Sequence, residues 1–98
     1  MASGRRQAIP VKVFIPTPFL ILTRGVGDAE VAPGTVVDLI RDLERQFPGM
    51  EESILKDGKV RGFLNIYVNE EDIRLLRAEE TLIRDGDEVY IVPAIGGG

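Results

Sequence analysis

Apolar and polar residues alternate with a period of two over Val11–Ile15, which places every second side chain on one face. This alternation is typical of a β-strand with one buried face. Pro16 is predicted to end the strand, because proline has no backbone N–H to donate. A second short strand, Asp28–Ala32, follows a glycine-containing turn, and the two strands are predicted to pair as a hairpin with a long connection. Within that connection, Phe19–Thr23 fits either a strand or a packed loop.

The apolar spacing then changes to that of an α-helix over Val36–Phe47. Apolar residues separated by four, three and four positions form one stripe that is predicted to be buried. These residues are Val36, Ile40, Leu43 and Phe47. Thr35 is predicted as the N-cap, and Asp38 stands at the position that completes a capping box. A Pro-Gly pair at positions 48 and 49 is predicted to end the helix.

Period-two alternation returns twice in the second half of the chain, over Phe63–Asn69 and Glu88–Val92. In the first of these strands, the residues expected to face the helix are Leu64, Ile66 and Val68. A tight turn, Asp85-Gly86-Asp87, precedes the last strand. Leu82 and Ile83 are predicted to cover the end of the core.

The order strand, strand, helix, strand, short strand, strand predicts an α+β fold, with one main helix packed on one face of a mixed sheet. The first strand precedes the helix and the last follows it, so the two can pair in parallel at the centre of the sheet. This is the ubiquitin-like β-grasp architecture. The predicted organisation is a flexible leader over residues 1–9, the β-grasp domain over 10–93, and a flexible glycine tail over 94–98.

The chain ends in an unusual sequence, Pro93-Ala94-Ile95-Gly96-Gly97-Gly98. Proline is predicted to end the last strand, and the glycines, which lack a Cβ, make the remaining segment thin. Fully extended, this arm could reach about 20 Å from the domain. Such an arm suits insertion into the narrow active site of a partner. The triglycine alone is more typical of a disordered tail or a cloning remnant, and the rest of the chain favours the functional interpretation.

Composition excludes several classes of function. A chain of 98 residues with 44% hydrophobic content forms one small domain. The net charge of −4 argues against a nucleic-acid or anionic-membrane surface. Absence of cysteine and histidine removes disulfides, thiolate nucleophiles, zinc thiolate sites and the usual neutral-pH general base. The acidic clusters lack the ligand pattern of a calcium loop, so no metal site is predicted. Charge and prolines interrupt the early apolar stretch, and a cytoplasmic protein is expected.

Four aromatic residues alternate out of phase with the predicted core positions, namely Phe14, Phe63, Tyr67 and Tyr90. They are predicted to form an apolar patch on the open face of the sheet, as expected for a partner-binding surface. The alternative is that loops or the Phe19–Thr23 segment cover them.

With this layout, the sequence resembles the MoaD/ThiS family of ubiquitin-like sulfur carriers over nearly the whole chain after Ile9. The segments that carry the resemblance are Pro33–Ile40, Val68-Asn69, Asp85–Val89 and Val92–Gly98. Within the family, Asn65–Arg74 is most similar to CysO-type carriers of cysteine biosynthesis. Gly96 departs from the pattern, because a small non-glycine residue is expected before the terminal diglycine.

The resemblance implies a carrier mechanism that needs no catalytic side chain and no bound cofactor. An E1-like adenylating and sulfurtransferase enzyme would use ATP to adenylate the Gly98 carboxylate, and sulfur would then displace AMP to leave a thiocarboxylate. Gly96 and Gly97 would thread the partner's channel, and Pro93 would mark where the arm leaves the sheet. The implied acceptor is an activated serine bound to a cysteine synthase, and a zinc-dependent protease would release the product. The carrier is therefore expected to be a cosubstrate and not an enzyme.

Three other functions are compatible with the same residues. The chain could be the small subunit of molybdopterin synthase, with the large subunit as its partner. It could be a ubiquitin-like modifier attached to protein lysines through the same glycine. It could also be a β-grasp binding module whose tail has no chemical role.

Overall fold

The computed structural model of the protein describes residues 9–94. The strands, in chain order, are β1 (Val11–Phe14), β2 (Asp28–Val31), β3 (Gly34–Thr35), β4 (Leu55–Lys56), β5 (Lys59–Val60), β6 (Leu64–Val68), β7 (Glu71–Asp72), β8 (Leu82–Ile83) and β9 (Glu88–Pro93). The α-helices are α1 (Leu20–Thr23), α2 (Val36–Gln46) and α3 (Met50–Ile54), and short 3-10 helices cover Thr17–Phe19, Ile73–Leu75 and Ala78–Glu80.

The main sheet has five strands in the order β2-β1-β9-β6-β7. Strands β1 and β9 pair in parallel at its centre, whereas the other neighbouring strands pair in antiparallel fashion. The predicted ubiquitin-like β-grasp topology is therefore confirmed, including the central parallel pair. Two small two-stranded sheets, β3-β8 and β4-β5, lie outside the main sheet. The sequence analysis missed these because each of their strands is only two residues long.

Helix α2 begins with the predicted capping box. The Asp38 backbone N–H donates to Thr35 Oγ1 at 3.1 Å, and the Thr35 N–H donates to Asp38 Oδ2 at 3.0 Å. The buried residues of the helix are Val36, Leu39, Ile40 and Leu43. The prediction that Phe47 is the last helical residue is wrong, since the helix ends at Gln46, although Phe47 still packs against the core. Phe47 has an extended backbone, because a residue that precedes proline is disfavoured in the α conformation, and its side chain is half-buried.

The core lies between α2 and the inner face of the sheet. It contains Leu64, Ile66 and Val68 from β6, as predicted, together with Val89 and Ile91 from β9. Helix α3 closes one side of this core with fully buried Met50 and Ile54. The inner-facing side chains therefore follow the period-two pattern of the sequence.

Two local predictions near the edge of the core need correction. Leu82 does not cover the core and is 63% exposed, whereas Ile83 is buried, because consecutive side chains on a strand point to opposite faces. The segment left open between strand and loop is helical, with a 3-10 turn running into α1. Pro18 lies at the start of that turn, where its fixed φ is compatible with a helix. The buried Thr23 hydroxyl then donates to the Val26 carbonyl at 2.7 Å.

Candidate functional site: the open sheet face and the root of the tail

Three of the four aromatic residues singled out in the sequence form one row across the open face of the sheet. The parallel register places Phe14 opposite Tyr90, and the antiparallel register places Tyr67 opposite Tyr90. All three side chains are half-buried. The row, Phe14-Tyr90-Tyr67, therefore crosses β1, β9 and β6 and is named the aromatic row below.

Two of the three rings of the aromatic row, those of Phe14 and Tyr90, are stacked on each other. The rings of Phe14 and Tyr90 are 4.6 Å apart between centroids and nearly parallel, at an interplanar angle of 8°. Aromatic pairs at this separation stabilise beyond the area that they bury. In the next row towards the tail, the half-buried side chains of Val92 and Asn65 lie opposite each other. On the open face, the rings of Phe14 and Tyr90 are therefore in contact, with Tyr67 beside Tyr90 in the strand pairing and Val92 beside it along the same strand.

Carboxylates border the aromatic row on one side. The Tyr90 hydroxyl donates to Glu88 Oε1 at 2.8 Å, and this hydrogen bond raises the pKa of Tyr90 above its ordinary value. The hydroxyl therefore stays protonated and neutral at physiological pH. Glu70, Glu71 and Glu88 line a shallow recess together with Tyr67 and Tyr90. The sequence analysis missed Glu88, although its position two residues before Tyr90 on the same strand could have indicated the contact.

Phe63 does not join the aromatic row. It precedes β6, its side chain is 55% exposed, and its carbonyl accepts a hydrogen bond from the Ala94 N–H at 2.7 Å. Pro93 is the last residue of β9 and pairs with Leu64, so the strand extends one residue beyond the predicted Val92. The chain therefore stays attached to the sheet through Ala94, and this attachment is called the tail root below. The candidate reactive residues Gly96, Gly97 and Gly98 lie outside the described residues.

The described residues carry no arrangement suited to metal catalysis. Residues 9–94 contain no cluster of three or more histidine, cysteine, aspartate or glutamate side chains that could hold a metal ion. Over the same range, every helix is too short or too polar to cross a membrane. What the described surface offers is an apolar face with an acidic border, next to the strand end from which the tail departs.

Comparisons with known proteins match this geometry. The ThiS family model matches residues 26–98 of the chain. The sulfur carrier protein CysO of Mycobacterium tuberculosis is 40% identical over 91 residues, which cover 90% of this chain and 98% of the relative. Small archaeal modifier protein 3 of Haloferax volcanii is 33% identical over 64 residues, covering 65% of this chain and 70% of the relative. Among solved structures, a chain of the BexX/CysO complex of Amycolatopsis orientalis superposes with a TM-score of 0.84 at 38% identity, covering 90% of this chain and 99% of that chain.

Proposed function

Because the chain belongs to the ThiS family, we propose that it carries sulfur as a thiocarboxylate on its C-terminal glycine, Gly98. The protein is a sulfur carrier and not itself a catalyst. The observation that supports the proposal most directly is that the family match extends through the triglycine to residue 98. The match therefore includes the segment that would carry the chemistry.

Activation would proceed in two steps on a partner enzyme, adenylation and displacement of AMP by sulfur. A carboxylate oxygen of Gly98 attacks the α-phosphorus of ATP, and pyrophosphate leaves, so that an acyl adenylate forms. A sulfur nucleophile then attacks the carbonyl carbon, and the bond from that carbon to the AMP oxygen breaks. Glycine suits both steps because no Cβ stands beside the attacked carbonyl. Gly96 and Gly97 would give the partner's channel a narrow segment to enclose.

The aromatic row is the part of the domain that we expect the activating enzyme to bind. It is aromatic, partly exposed and contains one stacked pair, and aromatic residues are enriched at the centres of interfaces. The exposed Phe63 beside the tail root would extend this surface. In Amycolatopsis orientalis, a structurally similar CysO protein forms a complex with BexX. For this chain we propose an E1-like adenylating enzyme as the first partner.

The proposed acceptor of the sulfur is an activated serine on a cysteine synthase, because the chain is similar to CysO over nine-tenths of its length. A zinc-dependent protease would then release the cysteine from the carrier. Because activation consumes ATP, a cytoplasmic location is part of the same proposal.

The test uses the purified chain, the E1-like adenylating enzyme of the same organism, ATP and sodium hydrosulfide. The wild type should release pyrophosphate, and its intact mass should change by the replacement of one oxygen by sulfur. A variant lacking Gly98 should lose both signals while its thermal melt stays unchanged. Gly97→Ala should weaken both, because the added methyl group narrows the allowed φ range and enlarges the segment.

The matched control is the full-length chain with an amide in place of the Gly98 carboxylate. It keeps every residue of the tail and lacks only the oxygen that attacks ATP, so it should bind the enzyme and release no pyrophosphate. Full activity in the amidated chain or in the Gly98 deletion would refute the proposal.

A protein-modifier role is the second candidate, favoured by the similarity to small archaeal modifier protein 3. The same activated glycine would then form an isopeptide bond to a lysine of another protein. Covalent adducts that appear on denaturing gels when ATP is added to a lysate, and that require Gly98, would identify this activity. Thiocarboxylate formation without adducts would favour the carrier role alone.

A further inference from the structure

A short β-hairpin formed by β4 and β5 carries two opposed positive charges. The antiparallel register pairs Lys56 directly with Lys59, and both side chains are exposed. The connecting residues Asp57 and Gly58 both have positive φ, at 54° and 79°, as a two-residue hairpin turn requires. Like charges directly opposite each other on paired strands destabilise a hairpin. This arrangement is therefore not explained by the stability of the hairpin.

A third positive charge is fixed beside the two lysines. Arg61 Nε donates to the Glu52 carbonyl at 2.9 Å, and the Arg61 N–H donates to the Ile54 carbonyl at 2.9 Å. Within residues 9–94, none of the three cations forms a salt bridge. Lys56, Lys59 and Arg61 are called the basic cluster below.

Two carboxylates belong to the same region and offset part of the charge of the basic cluster. Asp57 is in the turn, between the two lysines. Glu79 accepts a hydrogen bond from the Val60 N–H at 2.8 Å, which holds this carboxylate beside β5. Segment 56–63 itself holds three cations and one carboxylate, an excess of positive charge on a chain whose net charge is −4.

The basic cluster lies next to the tail root. It lines one open recess together with Phe63, the residue whose carbonyl holds the Ala94 N–H. Four residues lead from Ala94 to Gly98, so the terminal carboxylate can reach about 13–14 Å from Ala94. An enzyme that takes Gly98 into its active site must therefore approach the tail root to within that distance. The open sheet face and the recess that contains the basic cluster both lie beside the tail root.

We propose that the basic cluster docks onto an acidic patch of the enzyme that activates the tail, beside the mouth of that enzyme's active site. This inference rests on the proposed function and assigns it a second contact surface. The aromatic row would supply the apolar part of the interface, and the basic cluster would orient the tail root towards the channel. Charges at the edge of an interface act mainly on the association rate, so the contribution of the basic cluster falls as salt is added.

The test compares two variants with the same change in net charge, Lys59→Glu and Arg84→Glu. Arg84 is exposed and precedes β9, whereas the tail root follows the other end of that strand. The association rate constant with the E1-like adenylating enzyme is measured by stopped-flow at low and high salt, and ATP-dependent pyrophosphate release is measured beside it. Lys59→Glu should slow association by about tenfold at low salt and much less at high salt. Arg84→Glu should stay within about twofold of the wild type, because its charge lies far from the contact.

Each outcome separates this inference from the proposed function. If the wild type is activated and Lys59→Glu associates at the wild-type rate, the docking role is wrong while the carrier function stands. Equal slowing of both variants would show a general effect of net charge and would also overturn it. If the wild type releases no pyrophosphate, the proposed function fails and the docking role fails with it. If Lys59→Glu abolishes retention on heparin without slowing association with the enzyme, the basic cluster binds a polyanion instead.

Discussion

The stacked pair Phe14 and Tyr90 should show a measurable coupling free energy, because the two rings are in direct contact across the central parallel strands. The perturbation is a double-mutant cycle that contains Phe14→Ala, Tyr90→Ala and the double variant. Tyr90→Phe serves as the matched control, since it keeps the ring and removes only the hydroxyl that bonds to Glu88.

The magnitude follows from the geometry of the pair. Rings with centroids 4.6 Å apart and planes inclined by 8° are offset-stacked, and such pairs contribute about 0.5–1.5 kcal/mol beyond their area burial. Both side chains are only half-buried, so each single alanine variant should lose less than the roughly 3–5 kcal/mol of a fully buried aromatic residue. The expected coupling is therefore about 0.5–1.5 kcal/mol. If the proposed activating enzyme binds this face, charged substitutions at these positions should weaken that binding and also cost some stability, because they break the stack.

The assay is equilibrium unfolding in urea for all four members of the cycle, with two-state fits and a common slope. A second cycle, in which Tyr90→Phe replaces the wild-type Tyr90 and is combined with Phe14→Ala, should give a similar coupling, because the stack needs the ring and not the hydroxyl. If the stability losses of the two single variants sum to the loss of the double variant within about 0.3 kcal/mol, the coupling is absent and the reasoning is refuted. In that case the rings would be neighbours without energetic contact, and the aromatic row would not be pre-organised for a partner.

Two further predictions concern the helix that packs on the sheet. Ile40→Ala should lower the free energy of unfolding by about 2–5 kcal/mol, since Ile40 is fully buried. The control Ile21→Ala, at an 84% exposed site, should leave the free energy of unfolding nearly unchanged. Equal denaturant midpoints for the two variants would mean that the core stripe is misassigned. Asp38→Asn should destabilise the protein at neutral pH and make little difference in acid. The reason is that hydrogen bonds from Thr35 hold the pKa of Asp38 below its ordinary value of 3.8, so its contribution is present above that pH and is lost as the pH falls through the lower folded-state pKa. A difference between wild type and Asp38→Asn that stays constant from neutral pH into acid would contradict this account of the cap.

Much of the fold could be predicted because local patterns and tertiary structure agree. Period-two alternation identified β1, β6 and β9, and the capping box at Thr35 fixed the start of α2. The position of Pro48 was sufficient in principle to show that Phe47 leaves the helix, since the residue before proline avoids the α conformation. The glycine tail and the turn before β9 pointed to the ThiS family, which the comparisons then showed.

The sequence could not decide features that depend on which residues meet across strands. The sequence pattern treats the four out-of-phase aromatic residues alike. It could not show that three of them form one row and that Phe63 lies apart from it. Lys56 and Lys59 are a different case, because Asp57-Gly58 between them is typical of a two-residue hairpin turn and could have indicated their opposition. Leu82 and Ile83 are equally apolar, and only the pairing of β8 with β3 determines which one is buried. Side-chain periodicity assigns a residue to a face within its own element, whereas register, set by distant backbone hydrogen bonds, decides its neighbours.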